Sequence, residues 1–484
     1  MRAMLVAFGR ALQLVLMLLM MRLATGILPP VEMGRMALIN SSTALFALFL
    51  IGPVGLFINR RLIAWNEAGA VQHNLSRYWG YVLGVCALTS LVLLVLDHFG
   101  LGPAQAALPW LLWLIAGSLF FNTLNQTLIP SLNLLGFGAW FVVLTLATLV
   151  VGLVLALILA LYGRPDAEYW LSGLLAGQAV VGLAGWWVFS RKINPPQGGR
   201  QPPGRAQYMS LFMFAWPIVL SAALGWIQTQ GYRFVLSATT GLESLGLFVV
   251  GYGLAAGLVA GLESVLTTWL HPIFYRQLSD GQAAQVERAW NGYAAAILPS
   301  MLLFTCLVVA SAPWVTRLLL GPQYAASSIF VVWGALAELL RVLASVYGMA
   351  AHARMKTSWL LVPAAAGAVL ATVLVSSLVP PYAGAGAAAA LCVTGLVVVL
   401  LWHLRIRREI SISLPARDML AALAMGGVLL LFAGALAYLP GFESPLLNAL
   451  THTFLLGLLY LGMQYWLLSG ILRASRVEIA GPLS

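Results

Sequence analysis

Charge is what this chain has least of. Only 8% of its 484 residues are charged, and Asp and Glu together number 14 against 25 Lys and Arg. Soluble globular domains carry charge on about a quarter of their residues, so an ordinary water-exposed surface is excluded. Cysteine is nearly absent: Cys86, Cys306 and Cys392 fall in three different apolar stretches, which excludes a disulfide framework and a thiolate metal site. His271, His352, His403 and His452 show no metal-ligand spacing either. Period-two alternation is missing from the apolar runs, which excludes a transmembrane barrel. What is abundant is apolar side chain, 61% of the chain, in runs of the length that crosses a ~30 Å hydrocarbon layer as a helix. The expected class is an all-α, polytopic membrane protein.

The runs fall on either side of one stretch that no helix can carry, Arg191-Lys-Ile-Asn-Pro-Pro-Gln-Gly-Gly-Arg-Gln-Pro-Pro-Gly-Arg205. Its prolines, glycines and basic side chains describe a hydrated strap. Six apolar spans precede it, six follow, and two more close the chain. The spans lie near 4–28, 34–58, 77–98, 107–130, 138–162, 169–190, 208–238, 244–270, 289–312, 326–350, 357–379, 384–404, 417–439 and 446–470. The first is too long for a signal peptide's apolar region and is read as a retained helix. The implied organisation is a lobe over 1–190, a cytoplasmic linker over 191–207, a second six-helix lobe over 208–405, and helices 13 and 14 with the C-terminus over 406–484.

Charge orients the bundle. With the N-terminus inside, 18 of the 25 basic residues fall in cytoplasmic segments, while only Arg35, Arg164, Arg233 and Arg317 fall on the other side. Fourteen helices with both termini cytoplasmic are expected, and the net charge of +11 belongs to topology rather than to nucleic-acid binding.

The two halves echo each other. Arg22-Leu-Ala-Thr-Gly with Glu32-Met-Gly34 returns as Arg233-Phe-Val-Leu with Glu243-Ser-Leu-Gly246. Leu101-Gly-Pro-Ala-Gln-Ala-Ala returns as Leu320-Gly-Pro-Gln-Tyr-Ala-Ala, and the small-residue run opening at Gly173 returns at Gly384. The order is shared, at offsets of about 211 to 219 residues. Six helices per repeat preserve orientation, so the lobes are expected to be related by a pseudo-two-fold axis along the membrane normal, with a site between them near the midplane.

Several stretches carry a family resemblance: Arg22 with Pro29-Pro-Val-Glu-Met-Gly34, Phe214-Ala-Trp-Pro217, Tyr232-Arg-Phe234, Leu320-Gly-Pro-Gln-Tyr324, and Leu378-Val-Pro-Pro-Tyr-Ala-Gly384-Ala-Gly386. On these the chain resembles the Wzx-type polysaccharide flippases, in the superfamily that also holds the MATE drug antiporters and the lipid II flippases. Gln230-Gly231 stands where the family usually has an acidic residue. The resemblance implies a bacterial inner-membrane protein, not an enzyme, that moves an undecaprenyl-pyrophosphate-linked oligosaccharide to the periplasmic leaflet by alternating access. It implies no cofactor beyond a coupling ion, H+ or Na+. The implied partners are the polyprenyl-linked oligosaccharide, membrane lipids and a polysaccharide polymerase or export complex. A lipid II flippase and a cation-coupled drug antiporter share the fold and stand as alternatives.

Such a cargo needs fixed cations for phosphate and amides for sugar hydroxyls. Arg22 either faces an interlobe cavity or snorkels to headgroups, and Arg233 has the same two readings. Glu338 and Arg341 sit deep in the tenth span at i,i+3 spacing, hence on one face. They form a static ion pair, or a pair in which phosphate replaces Glu338 on Arg341 and frees the carboxylate for a proton. Glu263 shows no local partner in sequence and either couples protons or anchors a loop. Asn122, Asn125 and Gln126 in the fourth span, and Gln228 and Gln230 in the seventh, either join helices or line a sugar path. Pro217 and Pro363 mark candidate bending points.

Overall fold

The structure, a computed structural model, describes residues 2–100, 107–193, 205–278, 283–354, 357–438 and 444–479. Among them no strand occurs; the chain runs as α1 (Arg2–Ile27), α2 (Pro30–Phe46), α3 (Gly52–Glu67), α4 (Val71–His98), α5 (Leu108–Leu111), α6 (Gly117–Leu134), α7 (Gly138–Tyr162) and α8 (Ala167–Ser190). It continues as α9 (Arg205–Gln277), α10 (Ala283–Leu319), α11 (Ser328–Ala353), α12 (Leu361–Ile406), α13 (Ala416–Ala437) and α14 (Pro445–Ile479). Most of the basic strap, residues 194–204, and the Leu101 echo lie outside the described residues.

Eleven helical stretches among the described residues are long and apolar enough to cross a membrane. Two of them contain a break. In α9 the break is Gly241 (φ 85°, ψ 172°), and in α12 it is Ala383 (φ 49°, ψ −129°). Both fall in the turns expected between the seventh and eighth and between the eleventh and twelfth spans. The fourteen-span count rests on dividing α9 and α12 there and on counting α1 as a span. Pro363 lies at the third residue of α12, in its first turn, where a missing N–H costs nothing, so it is no mid-span bend.

The chain divides into two compact units, Met1–Trp226 and Ile227–Ser484. In unit 1, α7 and α8 approach backbone to backbone: a Cβ at Gly173 would overlap Ala156, and one at Gly177 would overlap Gly152. Small residues permit this approach, and without it two apolar helices in lipid have little to gain from pairing. The Gly173 run that marks the sequence echo is therefore a packing device. Two π-helical segments, Ala47–Ile51 and Leu112–Ala116, interrupt the helices of this unit. The first residues of α9 belong here too, with Trp226 Nε1 donating to the Ser41 carbonyl at 3.1 Å.

In unit 2, a core around Trp290, Tyr347, Trp359 and Trp402 binds α10, α11 and α12, and Trp290 Nε1 donates to the Val346 carbonyl at 2.9 Å. A second core joins α13 and α14 to α10 through Leu303, Trp314, Leu429 and Leu456. The last two helices thus complete this unit, leaving Leu461, Tyr465 and Trp466 of α14 exposed.

Candidate functional site

In unit 2 the deep charges converge. Arg341 lies well inside α11, and its Nε donates to Glu338 Oε2 at 2.6 Å, the i,i+3 pair expected from spacing. Its Nη2 donates to Glu263 Oε2 of α9, also at 2.6 Å. Glu263 therefore has the partner its sequence neighbourhood does not supply. Glu338 is further held by Tyr252, whose hydroxyl donates to Oε1 at 2.8 Å. Tyr252 was not legible as a site residue, since a tyrosine in an apolar span reads as core. The two carboxylate side chains are 18% and 8% accessible, whereas 42% of the Arg341 side chain remains accessible. One guanidinium is thus clamped by two carboxylates yet stays reachable.

Two turns along α9 from Glu263, His271 Nε2 lies 3.3 Å from the Tyr293 hydroxyl. Gln228 lies in the notch left by Gly367 of α12, a packing position. Gln230 is half-buried and engaged. Arg233 Nε donates to the Tyr232 hydroxyl at 3.3 Å, with its guanidinium 5.8 Å from that ring's centre. None of these three joins the Arg341 cluster among the contacts described for it.

Unit 1 holds a cavity of about 750 Å³. Met17, Met20, Met21 and Ala24 of α1 reach it at i, i+3, i+4 and i+7 spacing, and Met33 and Met36 of α2 extend the same thioether wall. Amides come from Asn40, Asn59, Asn122, Gln126 and Gln178. Among the described residues no Asp, Glu, Lys, Arg or His lines it. Asn122 and Gln126 share a face as their spacing requires, with Gln126 Nε2 donating to Asn122 Oδ1 at 3.1 Å.

Asn125 does not join them. It is buried and its amide donates to the Gln178 carbonyl of α8 at 2.7 Å and to the Phe121 carbonyl at 2.9 Å. One residue off an i,i+4 pair is a rotation of about 100°, which turns this side chain from the cavity to the helix interface. Arg22 is also absent from the cavity wall; its Nη1 is buried with no hydrogen-bond partner.

A second charge cluster closes the ends of two helices in unit 1. Arg35 Nη1 lies 3.0 Å from Glu32 and 3.6 Å from Glu168, and Glu32 Oε2 accepts the Ala167 amide at 2.9 Å. Glu32 and Glu168 occupy the first turns of α2 and α8, where a carboxylate meets the positive end of the helix. Asp166 completes this end by accepting the Tyr169 amide at 2.9 Å.

No curated protein matches the chain in sequence. Among solved structures it is similar to a lipid II flippase, MurJ, in an inward closed conformation (TM-score 0.66, 16% identity, covering 96% of this chain and 98% of that one). It is also similar to an inward-facing MATE family multidrug transporter (TM-score 0.54, 14% identity, 84% and 94% covered). A transporter of the same superfamily from Pyrococcus furiosus matches as well (TM-score 0.51, 16% identity, 84% and 94% covered). At these identities the likeness speaks for the fold. The family profile of polysaccharide biosynthesis proteins matches residues 23–329, more than half of the chain. The chain belongs to the polysaccharide biosynthesis protein family, as a multi-pass membrane protein by its apolar helices, and its fold is that of the lipid II flippase and the MATE transporter it matches.

Proposed function

We propose that the protein is a flippase that carries an undecaprenyl-pyrophosphate-linked oligosaccharide from the cytoplasmic to the periplasmic leaflet of the bacterial inner membrane. The observation that carries this reading is the accessible Arg341 clamped between Glu263 and Glu338. With both carboxylates ionised the cluster holds one net negative charge and repels a phosphate. A proton taken by Glu263 or Glu338 cancels that charge and releases one side of the guanidinium, whose planar fork then pairs with a pyrophosphate oxygen. Loss of the phosphate restores the clamp and expels the proton. Alternate exposure of this exchange to the two sides of the membrane moves a proton in the same direction as the lipid, so a lower pH on the side of departure favours flipping; a sodium ion at the carboxylates would act in the same sense.

The match to polysaccharide biosynthesis proteins favours a polysaccharide precursor over drug cations, and an anion-competent arginine agrees with it. A polymerase or export complex is the proposed downstream partner, since a flipped repeat unit has to be consumed. The test is reconstitution of the full chain in proteoliposomes with undecaprenyl-pyrophosphate-linked oligosaccharide. Exposure of the sugar to an external lectin should depend on the protein and on an imposed pH difference. Protein-independent exposure, or undiminished surface polymer in a strain lacking the gene, would remove the proposal.

A further inference from the structure

Asn59 and Gln178 both line the unit 1 cavity, and each has a side-chain oxygen that is buried with no hydrogen-bond partner from the protein. Buried polar atoms are rarely left so. Each is an acceptor, so what each wants is a donor. Asn40, Asn122 and Gln126 stand around the same space with amides that donate and accept. The same space is also lined by five methionines and Trp170. A lining that mixes amides with soft apolar side chains matches a molecule with hydroxyl edges and C–H faces. It does not match an ion, since no charged side chain among the described residues lines the space. The volume, about 750 Å³, lies within the range of small-molecule pockets, about 300–1,000 Å³.

We propose that this cavity is a pocket for uncharged sugar residues, selective against acidic ones, with Gln178 and Asn59 accepting from sugar hydroxyls and Asn122 and Gln126 supplying both kinds of bond. The inference rests on the flippase reading and deepens it: neutral sugar is recognised within unit 1, and phosphate by the Arg341 cluster in unit 2. Selection falls on the saccharide because burying a carboxylate opposite neutral amides carries a desolvation cost that no cation here offsets.

The pocket is tested with free sugars, without lipid or pyrophosphate. Purified full-length protein in nanodiscs is mixed with glucose, galactose, N-acetylglucosamine or glucuronate, and saturation-transfer NMR reads binding. At least one neutral sugar should give a signal, and glucuronate should give less than a fifth of it. Gln178→Leu and Gln126→Leu, on separate helices, should each lower the neutral-sugar signal at least fivefold with an unchanged thermal transition. Arg341→Gln should leave it intact. Absence of any neutral-sugar signal, an equal glucuronate signal, or signals unmoved in both folded variants would overturn the pocket. Binding of ethidium in place of sugar, lost in the same variants, would also overturn it in favour of a drug site. If one variant fails to fold, the other decides. Lipid flipping without sugar binding leaves the flippase reading standing and removes this one; sugar binding without flipping does the reverse.

Discussion

Each unit contains the same small motif, a Glu three residues before an Arg that also reaches a Glu from a second helix. In unit 1 it is Glu32, Arg35 and Glu168; in unit 2 it is Glu338, Arg341 and Glu263. The chemistry is alike and the placement is not. Glu32 and Glu168 sit in first turns, where one carboxylate also accepts a backbone amide, so the cluster staples two helix ends. Glu338 and Arg341 sit in mid-helix, where the backbone offers no end amides, and the charges are met by each other, by Glu263 and by Tyr252. Arg35 is 22% accessible and Arg341 is 42% accessible. An ion cluster at a helix end has a structural use at hand. One in the middle of an apolar helix, with its cation accessible, has none of comparable weight, and on this difference rests the proposal that the Arg341 cluster serves transport.

The largest effect should come from cutting the cation out of each cluster. Arg341→Gln is expected to lower flipping in proteoliposomes by at least tenfold. It also leaves two carboxylates facing each other, at a cost of about 2 kcal/mol after allowing for the partial exposure of the arginine. Adding Glu263→Gln should restore the thermal transition and not the flipping. Arg35→Gln is expected to lower stability by about 1–2 kcal/mol, with hydrogen exchange rising at the starts of α2 and α8. Its flipping rate per folded molecule should stay within twofold of wild type. Equal flipping losses in Arg35→Gln and Arg341→Gln would erase the distinction between the two clusters.

Next in size is Gly241→Ala. Its φ of 85° with ψ of 172° lies in a region that is essentially reserved for glycine. Thermal unfolding should report a loss of about 1–3 kcal/mol, confined by hydrogen exchange to residues around the break in α9. Tyr252→Phe removes one bond to Glu338 and should cost about 1.5 kcal/mol. It should also shift the pH at which flipping is half-maximal, whereas a purely packing role would leave that pH where it is. The smallest effect is of opposite sign: Ala383→Gly relieves a positive φ of 49° and should stabilise unit 2 by about 1 kcal/mol in the same measurement.

Much of the fold was legible because lipid leaves few options. A long apolar run has to satisfy its backbone internally, so length and hydropathy alone place helices, and α7 coincides with its expected span at both ends. The turns at Gly241 and Ala383 were readable from breaks in hydropathy and from the echoed motifs. The bend expected at Pro363 was not found, because helix starts are set by the connecting segment, whose Thr357–Leu360 turn carries no hydropathy signal. Of the candidate site, the pair of Glu338 and Arg341 followed from helical spacing. Asn122 and Gln126 followed for the same reason, and Asn125 failed because a neighbour on the same helix points elsewhere.

Sequence alone determined that this chain is a helical membrane protein of two echoing halves with an ion pair inside an apolar span of the second, since hydropathy and i,i+3 spacing are local properties of the chain. Only the tertiary structure decided that Glu263 joins that pair, 78 residues from Arg341 in sequence. It also decided that five amides from four helices close on one uncharged cavity. Contacts between helices depend on the rotation and approach of whole helices, which small residues such as Gly173 and Gly177 permit but no local pattern records.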